Sequence, residues 1–447
     1  MSRIIDAVSV ILCCGDEIFA IERQPFLKSF PGYWAFPGGK VEANDGSPLD
    51  HELLAGIEPH LWGAVQREIL EELGVDLDQL LERGSVSRVT YLGLAVTPDF
   101  NPYRFATYFY KIDLLQKPTF VVDTNEAKTA DWFACHELLR RYEVGQLLAV
   151  PPIVRVLRAL GEDIARDSIP GLNFQYDPQR EVPMIESLKG VRQFMPRSHT
   201  LPPASRTNCF HLGDEASHQF IVDPSPESRE EMQRLIHALE GHRVDAIMLT
   251  HHHSDHHQHA VDLARYYGVP IWISADSHAR LLRIDPHYFA DTSVRHLHEG
   301  DIVSTWLGEP LFVVAVPGHD EGQLALMPEG RAWFLAGDLF QGVGTVVIGD
   351  DEGDMAKYFA TLEKVIGLAP KVVFPSHGIG LGSTFILEKT LEHRRLREEQ
   401  VRRLSAEGRT EDEILATLYS DIDVALLKYA RKNIRSHMKK IERESAG

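Results

Sequence analysis

The stretch Thr250-His251-His252-His253-Ser254-Asp255-His256 follows directly on the apolar run Ala246–Leu249. That run reads as a buried strand, and a tight, ligand-rich loop at a strand end is where an α/β fold presents its chemistry. His251 and His253 stand two apart and Asp255-His256 continue the series, so four nitrogen or oxygen donors fall within six residues. Zinc and related ions accept such ligands, and a catalytic site keeps one position open for water. Three further candidates each stand just after a strand-like run: His319 in Pro317-Gly318-His319, Asp338 in Gly337-Asp338, and His377 in Pro375-Ser376-His377. A lone histidine in a chain with 22 of them would read as a solvated surface group. Seven donors at successive strand ends instead fit two metals bridged by a carboxylate and a hydroxide.

Around this loop, strands and helices alternate. Phe220–Val222 leads to a helix at Ser228–Leu239, Ala246–Leu249 to a helix at Ala260–Tyr267, and Pro270–Ser274 to another. Further strands are expected at Leu311–Val316, Leu324–Met327, Ala332–Leu335 and Val372–Phe374, a pattern of an α/β layered domain. From Thr384 the chain becomes helical and charged, with a capping box at Thr410 and Glu413 and a longer helix from about Asp423 to Arg443. The Pro-, Gly- and polar-rich stretch Gly161–Pro203 contains a linker and an entering strand near Val191–Met195. The expected domains are 1–165, 166–385 and 386–447.

The segment Val191–His377 resembles a metallo-β-lactamase fold hydrolase. That resemblance implies an αβ/βα four-layer sandwich holding two Zn²⁺. One zinc would take His251, His253 and His319, the other Asp255, His256 and His377, with Asp338 bridging both. Asp255 would orient the attacking hydroxide, and Asp223 matches the family's early supporting aspartate. Leu201-Pro202-Pro203-Ala204, Thr207-Asn208-Cys209, Gly344-Thr345-Val346-Val347 and Gly353-Asp354-Met355 are similar to the lactamase-beta-like branch, which includes a mitochondrial endoribonuclease. The tail from about Leu387 to Glu444 is similar to that branch's small winged-helix-like appendage. The chain departs from the family after Asp255-His256: where a glycine usually follows, it has His257, Gln258 and His259.

The first third carries a different signal. Residues Ile4–Arg23 read as a strand pair around a Gly15-Asp16 turn, and a helical pattern runs from about Leu53 to Leu73. Arg67-Glu68-Ile69-Leu70-Glu71-Glu72-Leu73-Gly74 puts three glutamates on one helix face, ended by Gly74. Such like charges repel unless a cation neutralises them, and Mg²⁺ or Mn²⁺ bridging substrate phosphates suits them. With Phe36-Pro37-Gly38-Gly39-Lys40-Val41-Glu42 upstream, the segment resembles a Nudix box split by an insertion near Ala43–Gly56. Gly39 and Arg67 lie 28 positions apart (67 − 39) where the box has 14. Asp45, Glu52 and Glu58 are the candidates for the box's middle glutamate. Resemblance over residues 3–160, with Thr97-Pro98 and Arg104-Phe105-Ala106-Thr107, points to the coenzyme A diphosphatase-like branch and an α/β/α sandwich. It implies Glu68, Glu71 and Glu72 as metal ligands, with Glu71 catalytic, Gly38, Gly39, Arg67 and Arg104 toward substrate, and Glu126 as a later loop carboxylate.

A net charge of −19 works against binding polyanions over a wide surface. Four cysteines without C-x-x-C spacing read as reduced. The absence of a signal-like segment or a ~20-residue apolar span predicts a cytoplasmic protein without membrane contact. Together these readings predict a bifunctional hydrolase. Its first domain would cleave a nucleotide diphosphate or coenzyme A derivative, and its second a thioester or ester. The alternative is a zinc endoribonuclease or phosphodiesterase whose first domain only senses a nucleotide, with the tail's lysines and arginines tracking RNA.

Overall fold

A computed structural model describes residues 4–46, 49–98, 101, 104–173, 176–349 and 352–446. Positions 47 and 48 of the expected Nudix insertion therefore lie outside the described residues. The chain divides into two compact units, 1–176 with 185–189, and 177–184 with 190–447.

In the first unit, Ile5–Cys14 turns through Gly15, at φ +64°, into Glu17–Arg23. Ile5–Cys14 also pairs in parallel with Phe105–Leu114, which continues antiparallel to Val86–Val96. The alternation of a strand explains the layering. Val8, Val10 and Leu12 pack with Trp62, Val65 and Ile69 of the helix Pro59–Leu73 on one face. Ile11 and Cys13 face the helices Cys135–Glu143 and Pro151–Glu162 on the other. The carboxylate helix begins later than its periodicity suggests. Pro59 at its first turn forces Glu58 into extended backbone (ψ 129°), and Glu52–Leu54 forms a separate 3₁₀ turn. It ends where expected, at Gly74 in the left-handed region, whose N–H bonds the Leu70 carbonyl. The four cysteines are free thiols.

The second unit contains two sheets. One runs in spatial order Val294–His296, Ile271–Ile273, Ala246–Met248, Phe220–Val222, Cys209–Leu212, Val191–Phe194. The other runs Ile302–Trp306, Glu309–Ala315, Leu324–Pro328, Trp333–Leu335, Val372–Phe374, Leu381–Gly382. Helices Arg229–Ala238 and Ala260–Tyr267 cover the first, and Met355–Leu368 covers the second. The strands Cys209–Leu212 and Ile302–Trp306 lack a signal in the pattern, because one is buried throughout and four residues long, and the other is bulged.

The elements of the C-terminal part among its described residues are helices: Phe385–Ala406, Glu411–Leu418 with the expected capping box, and Leu427–Ala446 after a 3₁₀ turn. It has its own small core of Val401, Ile414 and Ile434. No helix among the described residues is long and apolar enough to cross a membrane.

This helical part should be sensitive to acid. Burial holds the His437 imidazole below its ordinary value. Burial opposes the charge of Glu398, but His437 and Lys440 outweigh it and hold that carboxyl down. Both folded values are depressed, so the unfolded chain takes up protons first. Stability is then fully present above a histidine's usual ~6.5 and falls as pH drops below it. The metal-free protein is expected to melt at lower temperature at pH 5.5 than at 7.5, with the drop smaller in His437→Leu. Equal drops in both proteins would remove His437 from the explanation.

Candidate functional site

The loop after Ala246–Met248 is held from behind by Asp223, which closes the neighbouring strand Phe220–Val222 at φ +50°. The Asp223 carboxylate accepts from the Thr250 backbone N–H at 2.7 Å and the Thr250 hydroxyl at 2.6 Å. Its Oδ2 also lies 2.9 Å from His256 Nδ1. That bond fixes the ring so that Nε2 points the other way, and His256 Nε2 is buried without a hydrogen-bond partner. The same logic recurs twice. His319 gives Nδ1 to the Val347 carbonyl at 2.8 Å, and His377 gives Nδ1 to the Arg206 carbonyl at 2.9 Å. His253 is turned over, with Nε2 3.0 Å from Glu352 Oε2 and Nδ1 facing inward.

The inward atoms meet. His253 Nδ1 lies 2.9 Å from His251 Nε2 and 3.0 Å from His319 Nε2. Asp338 Oδ2 lies 3.7 Å from both His256 Nε2 and His319 Nε2, and Asp338 Oδ1 is 3.5 Å from His377 Nε2. Asp255 Oδ2 stands 3.6 Å from His377 Nε2. Four tight sets of donors result, three of them from these residues: His251, His253, His319; His251, His256, Asp338; and Asp255, His256, His377; the fourth joins His253 to His252 and Glu352. All seven residues singled out by sequence converge, and Asp338 lies between the outer two sets.

The electrostatics are those of a cation site. Burial, then His256, His253 and His319, hold His251 well below an imidazole's ordinary value. Burial opposes charge on His256 too, yet Asp255, Asp338 and Asp223 outweigh it and hold a proton there. Burial likewise opposes the Asp338 carboxylate, but His377 and His256 keep it well below its usual range. Neutral imidazoles at one end and clustered carboxylates at the other suit two divalent ions, whose arrival displaces protons. The orphaned Nε2 of His256 and the buried Asp338 Oδ1, which has no hydrogen-bond partner, fit that use.

Two residues beside the cluster were not legible in the sequence. Asp320 is fully buried and meets His252 Nδ1 at 2.7 Å, while Glu352 reaches both His252 and His253. Burial works against charge on His252, but these carboxylates raise it to about 9. Glu352 lies 99 residues from His253 in sequence, so no local spacing could expose it.

In the first unit, Gly38 is needed for close backbone approach, and Gly39 stands against a carboxylate side chain. A Cβ on Gly38, at φ +140°, would overlap the Val8 carbonyl, and one on Gly39 would overlap the Glu68 carboxylate. Glu72 is buried and accepts from the Gly38 N–H at 3.2 Å. Burial, then Glu68, push its carboxyl up to about 8, and burial also raises Glu68. Glu71 is mostly exposed. Arg67 binds Glu68 at 2.8 Å, Glu71 at 3.2 Å and both oxygens of Asp45 at 2.8 and 3.1 Å. Among the box candidates Asp45, Glu52 and Glu58, Asp45 thus meets Arg67; it stands six residues after Gly39, so the extra residues follow it. Every triad of donors within 4.8 Å among the described residues lies in the second unit. Arg104 turns its Nε to the Thr97 carbonyl, and Glu126 lies near enough to Glu72 to raise it further.

Residues 3–150 match the NUDIX domain family model, and residues 203–377 match the metallo-beta-lactamase superfamily model. The chain carries a Nudix domain followed by a metallo-β-lactamase domain. A hydroxyacylglutathione hydrolase of Fuscovulum blasticum is 33% identical over 182 residues, 40% of this chain and 64% of that protein. The chain therefore spans less than two thirds of that relative. The Drosophila melanogaster beta-lactamase-like protein 2 homolog is 25% identical over 276 residues, 59% of this chain and 85% of that protein. A crystal structure of a beta-lactamase domain protein from Burkholderia ambifaria aligns with TM-score 0.51 and 21% identity, covering 61% of this chain and 90% of that one. It shows the fold.

The departure after Asp255-His256 has a local account in the metallo-β-lactamase domain. His259 occupies the left-handed region, φ +58°, where glycine would be unstrained. Its Nδ1 meets Asp262 at 2.9 Å, and His257 Nδ1 meets the Tyr288 hydroxyl at 2.7 Å. Neither His257 nor His259 belongs to a donor set.

Proposed function

We propose that the chain is a bifunctional metal-dependent hydrolase, with domains at 1–165, 166–385 and a helical tail at 386–447. The second domain is read as a thioester or ester hydrolase. The observation that carries this is the convergence of His251, His253, His319, Asp255, His256, His377 and Asp338 on three overlapping donor sets, joined through His251 and His256. His251, His253 and His319 would hold one Zn²⁺, and Asp255, His256 and His377 the other, with Asp338 between them. When bound, zinc lowers the pKa of its water to ~7 and polarises the scissile carbonyl. Asp255 then orients the nucleophile, and Asp223 keeps His256 presented through Nε2. Relatives named hydroxyacylglutathione hydrolase and atrochrysone carboxyl ACP thioesterase support an acyl-thioester substrate.

The first domain is read as an Mg²⁺- or Mn²⁺-dependent diphosphatase of a nucleotide or coenzyme A derivative. Glu68, Glu71 and Glu72 would hold the metal, Asp45 would take the place of the box's middle glutamate, and Gly38, Gly39, Arg67 and Arg104 would face substrate. Full-length protein assayed on coenzyme A derivatives, acyl thioesters and short RNAs tests both readings. Thioester turnover that vanishes on chelation is expected, and RNA cleavage without thioesterase activity would refute the substrate reading.

The tail gives a separate check. Arg431 and Arg435 are engaged by Glu411, and Arg402 by Glu444 at 2.6 Å. A single strand held by such cations would lose affinity with a log–log salt slope of about −0.7 per phosphate contact. The expected result is weak RNA binding with a flat salt response, unchanged in Arg431→Gln/Lys432→Gln/Arg435→Gln. A steep slope abolished by these substitutions would favour the nuclease reading.

A further inference from the structure

The tail reaches the donor cluster indirectly, by a route that its charge pattern does not suggest. His319 is oriented by the Val347 carbonyl, which takes its Nδ1–H at 2.8 Å. Val347 sits in a segment without regular secondary structure, so its backbone needs outside partners. The C-terminal helices supply them on both sides. The Arg394 guanidinium, on helix Phe385–Ala406, binds the Val346 carbonyl. Asn433 Oδ1, on helix Leu427–Ala446, accepts from the Ile348 N–H at 2.8 Å. Arg394 and Asn433 are themselves buried, at 4% and 5% exposure, and Val346 and Ile348 pack in one core with Leu387 and Leu391 of the tail.

A second strand of contacts ends at the same turn. Arg443 pairs with Asp354 at 2.7 Å, and the Asp354 N–H bonds the carbonyl of Gly318, the residue before His319.

We propose that Arg394 and Asn433 are positioning residues: the helical tail clamps Val346–Ile348 so that Val347 fixes His319 with Nε2 directed at His253 and Asp338. This rests on the reading of His319 as a metal ligand. The tail is then part of the metal site's scaffold. Its effect falls on the His251, His253, His319 set, because His377 takes its orientation from Arg206 and His256 from Asp223.

Metal binding by the full chain tests this, using zinc titration against a chromophoric chelator and the absorption spectrum of the Co²⁺ form. Outer partners of metal-bound histidines typically contribute 10–100-fold to affinity. In Asn433→Leu one of two equivalents should bind about 10–100-fold more weakly and its Co²⁺ bands should shift, the other equivalent being unchanged. Asn433→Asp keeps the accepting oxygen and should restore wild-type affinity. Ile414→Ala disturbs the tail's own core without touching Val346–Ile348, and should lower the melting temperature while leaving both affinities alone. If Asn433→Leu does not fold, Arg394→Met takes its place with the same expectation. Wild-type affinities in the clamp variant, or an equal loss in Ile414→Ala, would overturn the proposal. His319→Ala separates the two levels. Retention of both equivalents there sinks the ligand reading itself; loss of one, with an unaffected Asn433→Leu, sinks the clamp alone.

Discussion

Replacing His253 by alanine is expected to release one of two bound metal equivalents and to lower thioester turnover by more than about 100-fold, given that mere outer partners of ligands already contribute 10–100-fold. His253 Nδ1 stands within 3.0 Å of the inward nitrogens of both His251 and His319. Its removal leaves two imidazoles, too few to hold a catalytic ion in an open tetrahedral site. The metal-free fold should tolerate the change. In the absence of metal, neighbouring imidazoles depress one another, with His253 among the groups that hold His251 down. The Met248 and Leu249 packing that sets the loop is untouched. Stability gained on adding zinc, by contrast, should shrink, because ligand-linked stabilisation depends on affinity for the folded state alone. Metal analysis, turnover and melting with and without zinc check the three parts together. Two equivalents retained in His253→Ala would defeat the assignment, and simultaneous loss of diphosphatase activity would show that the two sites are not independent.

The parts of this site that sequence exposed share a physical property. Each ligand follows a short apolar run, so strand and donor are adjacent in sequence and a pattern reader meets them together. Asp223, at the end of Phe220–Val222, came from the family resemblance alone. What stayed hidden acts across long separations. Glu352 reaches His253 from a loop, Asn433 reaches Ile348 across 85 residues, and Arg394 reaches Val346 across 48. Buried polar side chains that satisfy a distant backbone group leave no periodicity behind. In the tail, whose basic residues carry the alternative reading of a phosphate-tracking face, Arg394 is buried in the core and Arg431 and Arg435 face Glu411. In the first domain the sequence left three acidic candidates for one role, and of these Asp45 meets Arg67 through both carboxylate oxygens. The helix start was misjudged because apolar periodicity continues through Leu53 and Leu54, while Pro59 fixes where the backbone can begin to coil.

Glu71→Gln is expected to end Mg²⁺-dependent diphosphatase activity while leaving the melting temperature almost unchanged. The side chain is 61% exposed, and its one hydrogen bond to Arg67, at 3.2 Å, is a surface pair of a kind that contributes about 0–1 kcal/mol. Glutamine preserves helix propensity and removes a like charge three residues from Glu68, which offsets the lost pair with Arg67, so the fold loses little. The effect on chemistry is of another order. Glu72 is buried and Glu68 is partly sequestered by Arg67, so Glu71 is the carboxylate best placed to meet a solvated cation carrying substrate phosphates. Loss of one charged ligand should weaken Mg²⁺ binding and remove the group that helps activate water. Arg67 then supplies the control. Asp45→Ala frees the guanidinium from its bidentate partner, so it should disorder the carboxylates and lower activity without removing any of the three glutamates. A Glu71→Gln variant that hydrolyses coenzyme A and dinucleotides at the wild-type rate would sink the catalytic reading of this helix. Nucleotide binding that persists in that variant, with no turnover in the wild type, would instead assign the first domain to sensing.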